Sequence, residues 1–152
     1  MTKGPDSLLI VDDETLVRDV MLRYFSKCGF NAFSESSGKA ALEWINSHHV
    51  DLVLLDIEMP DMDGLEVLKI LRKIYTPAQL PIIMVTGRVN SEDVEIALAA
   101  GANDYQTKPI DFPRLLGRIQ TQLSRKRSKK PPSTGEEPYS LAPPGANDGL
   151  WE

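Results

Sequence analysis

The chain has 152 residues and a formal net charge of -5, with 41% hydrophobic and 26% charged residues. This length suits about one domain, and the composition excludes a collagen-like or wholly disordered chain. The longest apolar runs, such as residues 8–11, are far shorter than the roughly 18 residues that a membrane span requires. No signal peptide is recognisable, and the single Cys28 permits no internal disulfide, so we expect a cytoplasmic protein.

Short apolar runs alternate with amphipathic segments over residues 1–124, a pattern typical of βα units around a parallel sheet. The first, third and fourth runs are apolar almost throughout, which indicates central strands covered on both faces. The second and fifth are more mixed and are expected nearer the edges. The predicted strands span residues 8–12, 30–34, 52–56, 81–86 and 104–108.

Apolar residues between these strands recur at helical spacing and predict five helices with core-facing stripes. Gly29 follows the first stripe and is typical of a helix C-terminus. The stripes are Leu16, Val17, Val20, Met21, Tyr24, Phe25 and Cys28; Ala40, Ala41, Trp44 and Ile45; Val67, Leu68, Leu71 and Ile74; Val94, Ala97 and Leu98; and Leu115, Leu116, Ile119 and Leu123.

Charge is distributed unevenly along the chain. Residues 1–124 contain 12 Lys and Arg against 18 Asp and Glu, a net charge of -6, whereas residues 125–152 contain 5 against 4, a net charge of +1. An acidic domain repels phosphate backbones, so we expect no direct nucleic-acid partner. The short apolar runs likewise predict no membrane partner. The basic run at 125–130 is interpreted as a solvated helix end, and the Pro-rich segment after it as a linker. The predicted domain therefore covers residues 1–124 and the linker residues 125–152.

Polar residues stand at the ends of four predicted strands: Asp12 and Asp13, Asp56, Thr86, and Lys108. Because ligands of an open parallel sheet bind outside the carboxyl ends of its strands, these side chains are the candidate site. Three carboxylates together repel one another unless a cation lies between them. Oxygen donors without paired His or Cys favour Mg²⁺.

Four motifs at these strand ends resemble those of the receiver domains of bacterial two-component response regulators. They are Val11-Asp12-Asp13, Asp56-Ile57-Glu58-Met59-Pro60-Asp61-Met62-Asp63-Gly64, Val85-Thr86-Gly87 and Tyr105-Gln106-Thr107-Lys108-Pro109. The resemblance covers residues 7–124 and implies an α/β, flavodoxin-like (βα)5 fold, a doubly wound parallel sheet of strand order 2-1-3-4-5. It also implies that Asp56 takes a phosphoryl group from the phosphohistidine of a sensor histidine kinase or phosphotransfer protein. Such a domain is not a dedicated enzyme, although it catalyses its own phosphorylation and dephosphorylation.

The resemblance assigns the metal site as well. Asp13 and Asp56 are expected to bind Mg²⁺ through carboxylate oxygens and Asp12 largely through water, while Glu58 offers its backbone carbonyl. Lys108 is expected to place its ammonium against the phosphoryl oxygens, following the family's cis Lys-Pro peptide.

The family's switch is implied for two further residues. Thr86 donates its hydroxyl to the phosphoryl group, and Tyr105 matches the strand aromatic that turns inward behind it. This motion would alter the surface of helix four, strand five and helix five. Glu58 and Arg88 are expected to border the pocket and tune water access, and His48-His49 is interpreted as surface.

Dimerisation stays open at this stage. Asp104 and Arg118 are candidates for one cross-subunit charge pair of the dimer that DNA-binding response regulators form. Val94, Asn103 and Arg114 occupy positions where other pair members are expected, which argues against that dimer.

Two alternatives use a similar residue set. A haloacid-dehalogenase-like phosphatase also has an aspartyl nucleophile and Mg²⁺, and its signature is an Asp-x-Asp-x-Thr loop after the first strand. Here the first strand ends in the adjacent pair Asp12-Asp13, which does not match that loop. The later Asp61-x-Asp63 continues into Gly64 and so lacks the threonine. A phosphorylation-independent pseudo-receiver would lack part of the acidic pocket, which this sequence keeps.

The tail resembles the opening of a PAS sensory domain in residues 136–142 and 145–152. Trp151 has no role in a linker but would be a core residue if another domain followed. We therefore expect a longer signalling protein whose output domain lies downstream in the same chain. The alternative is a single-domain regulator with a polar tail.

Overall fold

A computed structural model describes residues 4–128 of the chain. Five strands and five helices alternate along this part of the chain. The elements are β1 (Ser7–Val11), α1 (Thr15–Lys27), β2 (Asn31–Glu35), α2 (Gly38–Ser47), β3 (Leu52–Leu55), α3 (Gly64–Arg72), β4 (Ile82–Thr86), α4 (Ser91–Ala99), β5 (Asp104–Thr107) and α5 (Phe112–Ser128). The predicted PAS-like segments and Trp151 lie outside the described residues.

The strands form one parallel sheet in the order β2-β1-β3-β4-β5, which confirms the predicted doubly wound, flavodoxin-like topology. The mixed strands β2 and β5 are the edges, and the three apolar strands are central, as their composition predicts. Register places Leu9 beside Val53 and Val53 beside Ile82, so side chains of adjacent strands lie in rows.

Two apolar layers cover the sheet because successive strand residues point to opposite faces. Leu8 and Ile10 pack with Phe25 of α1 and Leu115 of α5. The alternate residues of the central strands pack against α2, α3 and α4 on the other face. The layers leave the ends of the strands open, and the carboxyl ends carry the polar residues.

Several helix residues predicted to face the core are exposed instead. Leu16 is 80% exposed, Val20 50%, Ile74 64% and Leu98 44%, and Cys28 is also exposed. Helical spacing predicts which residues share a face but not how far the neighbouring elements extend over it. Within residues 4–128 no helix is both long and apolar enough to span a bilayer.

Candidate functional site

The carboxyl ends of β1, β3, β4 and β5 bring the predicted residues to one edge of the sheet. Asp12 and Asp13 follow β1, Asp56 follows β3, Thr86 ends β4 and Lys108 follows β5. The parallel pairing of β1 with β3 sets the first two groups side by side. Backbone hydrogen bonds from Asp56 to the Val11 carbonyl and from Lys108 to the Thr86 carbonyl continue this alignment beyond the strands.

Three carboxylates converge here. Oxygens of Asp12, Asp13 and Asp56 all lie within 4.8 Å of one another. Asp12 and Asp56 are buried and Asp13 is exposed, so the cluster opens to solvent on one side. Burial raises the pKa of Asp12, and hydrogen bonds from Lys108 and from the Glu14 N–H offset this only in part. The cluster offers hard oxygen donors to a small divalent cation, which is the chemistry that Mg²⁺ requires.

Lys108 supplies the positive charge of the cluster. Its Nζ lies 2.7 Å from Asp12 Oδ2, 3.1 Å from Asp56 Oδ2 and 3.6 Å from Glu14 Oε1. Burial alone lowers the pKa of this ammonium, but hydrogen bonds to Asp12 and Asp56 raise it above its usual range. Lys108 is therefore charged at neutral pH. The Lys108–Pro109 peptide bond is cis, as the resemblance implies.

The loop between β3 and α3 holds Asp56 in place. The Glu58 N–H donates to Asp56 Oδ1 at 3.2 Å, and the Gly64 N–H donates to the Ile57 carbonyl at 2.9 Å. Asp63 caps α3 in a capping box with Glu66. Gly64 is buried, and a Cβ there would collide with the Asp56 carbonyl.

Thr86 and Tyr105 lie behind the cluster. Thr86 is fully buried, and its Oγ1 accepts a hydrogen bond from the Arg88 N–H at 3.4 Å. Tyr105 is buried too, and its hydroxyl donates to the Arg88 carbonyl at 2.8 Å. Burial raises the pKa of this phenol, and nearby Asp93 adds to the rise. The aromatic ring of Tyr105 is thus packed inward in this structure.

Ion pairs join three charged residues beside the loop that carries Asp56. Two of them, Glu58 and Arg88, were expected to border the pocket, and the third is Asp93. Arg88 Nε lies 3.2 Å from Glu58 Oε2, and Arg88 Nη1 lies 3.7 Å from Asp93 Oδ1 in the first turn of α4. Sequence reasoning missed Asp93 and Glu14. The sequence does carry a signal for Asp93, because it stands three residues after Asn90, a typical N-cap residue. In the structure, the Asn90 side chain caps α4 by accepting a hydrogen bond from the Asp93 N–H.

Other candidate residues lie away from the site. Arg118 Nη1 donates to both carboxylate oxygens of Asp104 at 2.7 Å within one chain, so this pair is already formed without a second subunit. His48 and His49 are exposed, as expected for surface residues. His49 Nε2 lies 2.8 Å from Asp51 Oδ1 at the opposite end of the sheet.

Comparison with known proteins agrees with this geometry. The family model described as "Response regulator receiver domain" matches residues 8–120. A CheY-like receiver domain protein from Methanospirillum hungatei JF-1 is 31% identical with a TM-score of 0.78, over 84% of this chain and 100% of that one. The receiver domain of the TMAO respiratory system response regulator TorR is 36% identical with a TM-score of 0.73, over 80% and 98%.

A longer protein is similar over part of its length. A probable two-component response regulator/GGDEF domain protein is 28% identical with a TM-score of 0.77, and the match covers 80% of this chain but 50% of that one. The similarity is thus limited to about half of that protein.

Proposed function

This chain belongs to the response regulator receiver domain family of two-component signalling, and we propose that Asp56 is its phosphoacceptor. The observation that carries the proposal is the buried Asp56 carboxylate, set between two further aspartates and the Lys108 ammonium. In the reaction, an Asp56 oxygen attacks phosphorus in line, an O–P bond forms, and the N–P bond to the donor's histidine breaks. The departing imidazole nitrogen regains a proton from solvent.

The surrounding residues neutralise the charge that develops on the phosphoryl oxygens. Asp12, Asp13 and Asp56 would hold Mg²⁺ with the Glu58 carbonyl, and the bound ion would supply positive charge to the transferred group. Lys108 approaches from the side of β5 and needs only to exchange one carboxylate partner for a phosphoryl oxygen. Glu58 and Arg88 border the water path to Asp56.

Thr86 is proposed as the residue that senses the phosphoryl group. Its hydroxyl would leave the Arg88 N–H and donate to a phosphoryl oxygen, while Tyr105 stays bonded to the Arg88 carbonyl. Both contacts pass through Arg88, so a change at Thr86 would reach the surface formed by α4, β5 and α5.

An apolar cavity of about 270 Å³ beside Lys108 is proposed to receive the phosphohistidine-bearing protein. It is lined by Leu16 and Val20 of α1 and by Pro109 and Phe112, and Leu16 is 80% exposed. Because Lys108 borders both the cavity and the carboxylates, a donor seated there would stand next to Asp56.

The test of the phosphoacceptor is the intact mass after incubation with Mg²⁺ and acetyl phosphate. We expect one phosphoryl adduct, lost in Asp56→Asn and in excess chelator, while circular dichroism shows a folded variant. An adduct of equal amount in Asp56→Asn would contradict the assignment. A wild-type chain that stays unlabelled would support a pseudo-receiver, and continuous release of phosphate from monoesters would support the phosphatase alternative.

The donor surface has its own test. Leu16→Glu should lower labelling by a phosphorylated histidine kinase or phosphotransfer protein at least tenfold, because it places a charge in an apolar contact. Labelling by acetyl phosphate should not change. Ile74→Glu, at another exposed apolar position outside the cavity, is the matched control. Equal losses in the two variants would argue against the cavity.

We also propose that an output domain follows in a longer chain, as the PAS-like resemblance of residues 136–142 and 145–152 predicts. The similarity to a response regulator/GGDEF protein supports a joined output domain in general but not the PAS assignment. The reading frame after Glu152 tests this, because an immediate stop codon would contradict it.

A further inference from the structure

Arg88 contacts three separate parts of the site. Its guanidinium lies between Glu58, in the loop that carries Asp56, and Asp93, in the first turn of α4. Its backbone carbonyl accepts the Tyr105 hydroxyl of β5 at 2.8 Å. The phosphoacceptor loop, α4 and β5 therefore meet at one residue.

The two ion pairs of Arg88 are weak enough to exchange. Its side chain is 44% exposed, that of Glu58 58%, and the distances of 3.2 Å and 3.7 Å describe a cation shared by two carboxylates. Glu58, the partner of Arg88, also donates its backbone N–H to Asp56 Oδ1 at 3.2 Å, so only one residue separates the guanidinium from Asp56. A new charge at Asp56 would change how the guanidinium is shared.

We propose that Arg88 is a positioning residue through which a phosphoryl group at Asp56 releases the first turn of α4. The inference rests on the proposed phosphorylation of Asp56. A phosphoryl group carries about 1.5 to 2 negative charges and three strong acceptor oxygens, which attract a guanidinium more than a single carboxylate does. The guanidinium turns toward the pocket beside Glu58, and Asp93 loses its partner. This charge-driven route is separate from the hydroxyl contact of Thr86.

Reciprocal coupling makes the inference measurable. If the phosphoryl group draws Arg88 away from Asp93, then Asp93 must oppose phosphoryl binding by the same factor. Asp93→Asn should tighten binding of a phosphoryl analogue about two- to fivefold, the range for a partly exposed pair. Arg88→Gln should weaken binding, and Arg88→Lys should restore part of it because the charge returns. In the Arg88→Gln background, Asp93→Asn should have no effect.

The probe is beryllofluoride, a tetrahedral phosphoryl analogue, titrated into the full chain with Mg²⁺ and followed by amide chemical shifts. Glu92→Gln is the matched control, because it removes one carboxylate from the same turn of α4 without removing the Arg88 pair. Amide exchange at residues 93–95 should rise on beryllofluoride binding in the wild type and stay constant in Arg88→Gln.

The outcomes separate this inference from the proposed function. Wild-type chain that binds no beryllofluoride overturns both. Binding that Asp93→Asn leaves unchanged, or changes as much as Glu92→Gln does, overturns the role of Arg88 alone. An equal effect of Asp93→Asn in the Arg88→Gln background also overturns it, since the two residues would then act independently.

Discussion

Lys108 holds together carboxylates that would otherwise repel one another. It lies 2.7 Å from Asp12 and 3.1 Å from Asp56, both of which are buried. A divalent cation bound to the same oxygens would have to share them with this ammonium. Lys108 is therefore expected to disfavour Mg²⁺ and to favour the phosphoryl group, the two proposed ligands.

Replacing Lys108 tests whether its charge weakens Mg²⁺ binding while it assists phosphoryl transfer. We expect Lys108→Gln to bind Mg²⁺ roughly five- to tenfold more tightly, because one positive charge near the ion is removed. Labelling by acetyl phosphate should slow at saturating Mg²⁺. Calorimetric titration of Mg²⁺ and labelling rates by mass give the two values. Weaker Mg²⁺ binding in the variant would show that Lys108 mainly organises the carboxylates.

At the scale of elements, the glycine where the β3–α3 loop enters α3 has surroundings unlike those of a glycine inside α5. A Cβ at Gly64 would meet the backbone of Asp56 and Ile57, whereas a Cβ at Gly117 in α5 would meet nothing within 4 Å. Gly64 is required because its backbone lies too close to the backbone of Asp56 and Ile57 to leave room for a side chain. Gly117 only weakens its helix.

Alanine at each glycine gives a matched pair. We expect Gly64→Ala to lower the free energy of unfolding by more than about 2 kcal/mol and to reduce Asp56 labelling, because the loop must move. Gly117→Ala should raise the free energy of unfolding by about 0.5 to 1 kcal/mol and leave labelling unchanged. Urea unfolding and acetyl phosphate labelling measure both. Normal stability of Gly64→Ala would mean that the loop adapts easily.

A second element-scale feature is the buried guanidinium of Arg72 at the end of α3. It donates to the carbonyls of Gly101 at 2.8 Å and Leu80 at 2.9 Å and to Asn103 Oδ1 at 2.9 Å. Burial lowers its pKa to about 10, still well above neutral. Asn103 passes the network on to Gln122 of α5. Arg72 therefore links the end of α3 to the segments before β4 and β5, and Asn103 extends the link to α5.

Arg72→Met keeps the aliphatic stem but leaves buried carbonyls without donors. We expect a loss of about 3 kcal/mol in the free energy of unfolding. Arg23→Met, at an exposed position of α1, should change it by less than about 0.5 kcal/mol. Urea denaturation of both variants measures the two changes in the free energy of unfolding. Similar small changes would show that water replaces the guanidinium.

These features mark what the sequence can predict. The topology and the meeting of Asp12, Asp56 and Lys108 follow from strand composition and from the rule that parallel strands end together. The exposure of Leu16 does not follow, because it depends on what the next elements leave uncovered. The bonds of Arg72 span up to 31 residues and depend on loop shapes that no local pattern specifies.

At the scale of the whole molecule, the two ends of the sheet are held by charges in different ways. At the amino ends of the strands, the buried Asp51 accepts the Ser7 N–H at 2.8 Å and lies 2.8 Å from His49 Nε2. Lys126, near the end of α5, lies 3.4 Å from Asp51 Oδ1 and donates to the Asp51 backbone carbonyl at 3.2 Å. The Asp51 carboxylate therefore helps to hold the last helix against the amino ends of the strands, far from Asp56.

Asp51 should make stability depend on pH in acid. Burial alone raises its pKa, but the Ser7 N–H, His49 and Lys126 together lower it below the ordinary value of 3.8. Since the folded pKa is the lower one, the stabilisation is complete above 3.8 and is lost as pH falls through the folded value. Asp51→Asn should therefore cost about 1.5 to 3 kcal/mol at pH 7, and the difference from wild type should shrink below pH 3.8.

Urea unfolding of wild type and Asp51→Asn at several pH values measures that difference directly, so the titration of other carboxylates cancels. Asp19→Asn, at an exposed position of α1, is the control and should differ little from wild type at any pH. A cost of Asp51→Asn that stays constant into acid would mean that the side chain acts through shape rather than charge. If the unfolding free energies of wild type and Asp51→Asn converge in acid as expected, the Asp51 carboxylate stabilises the fold through its charge, at the opposite end of the sheet from Asp56. Asp51→Asn should accordingly retain acetyl phosphate labelling wherever it is folded.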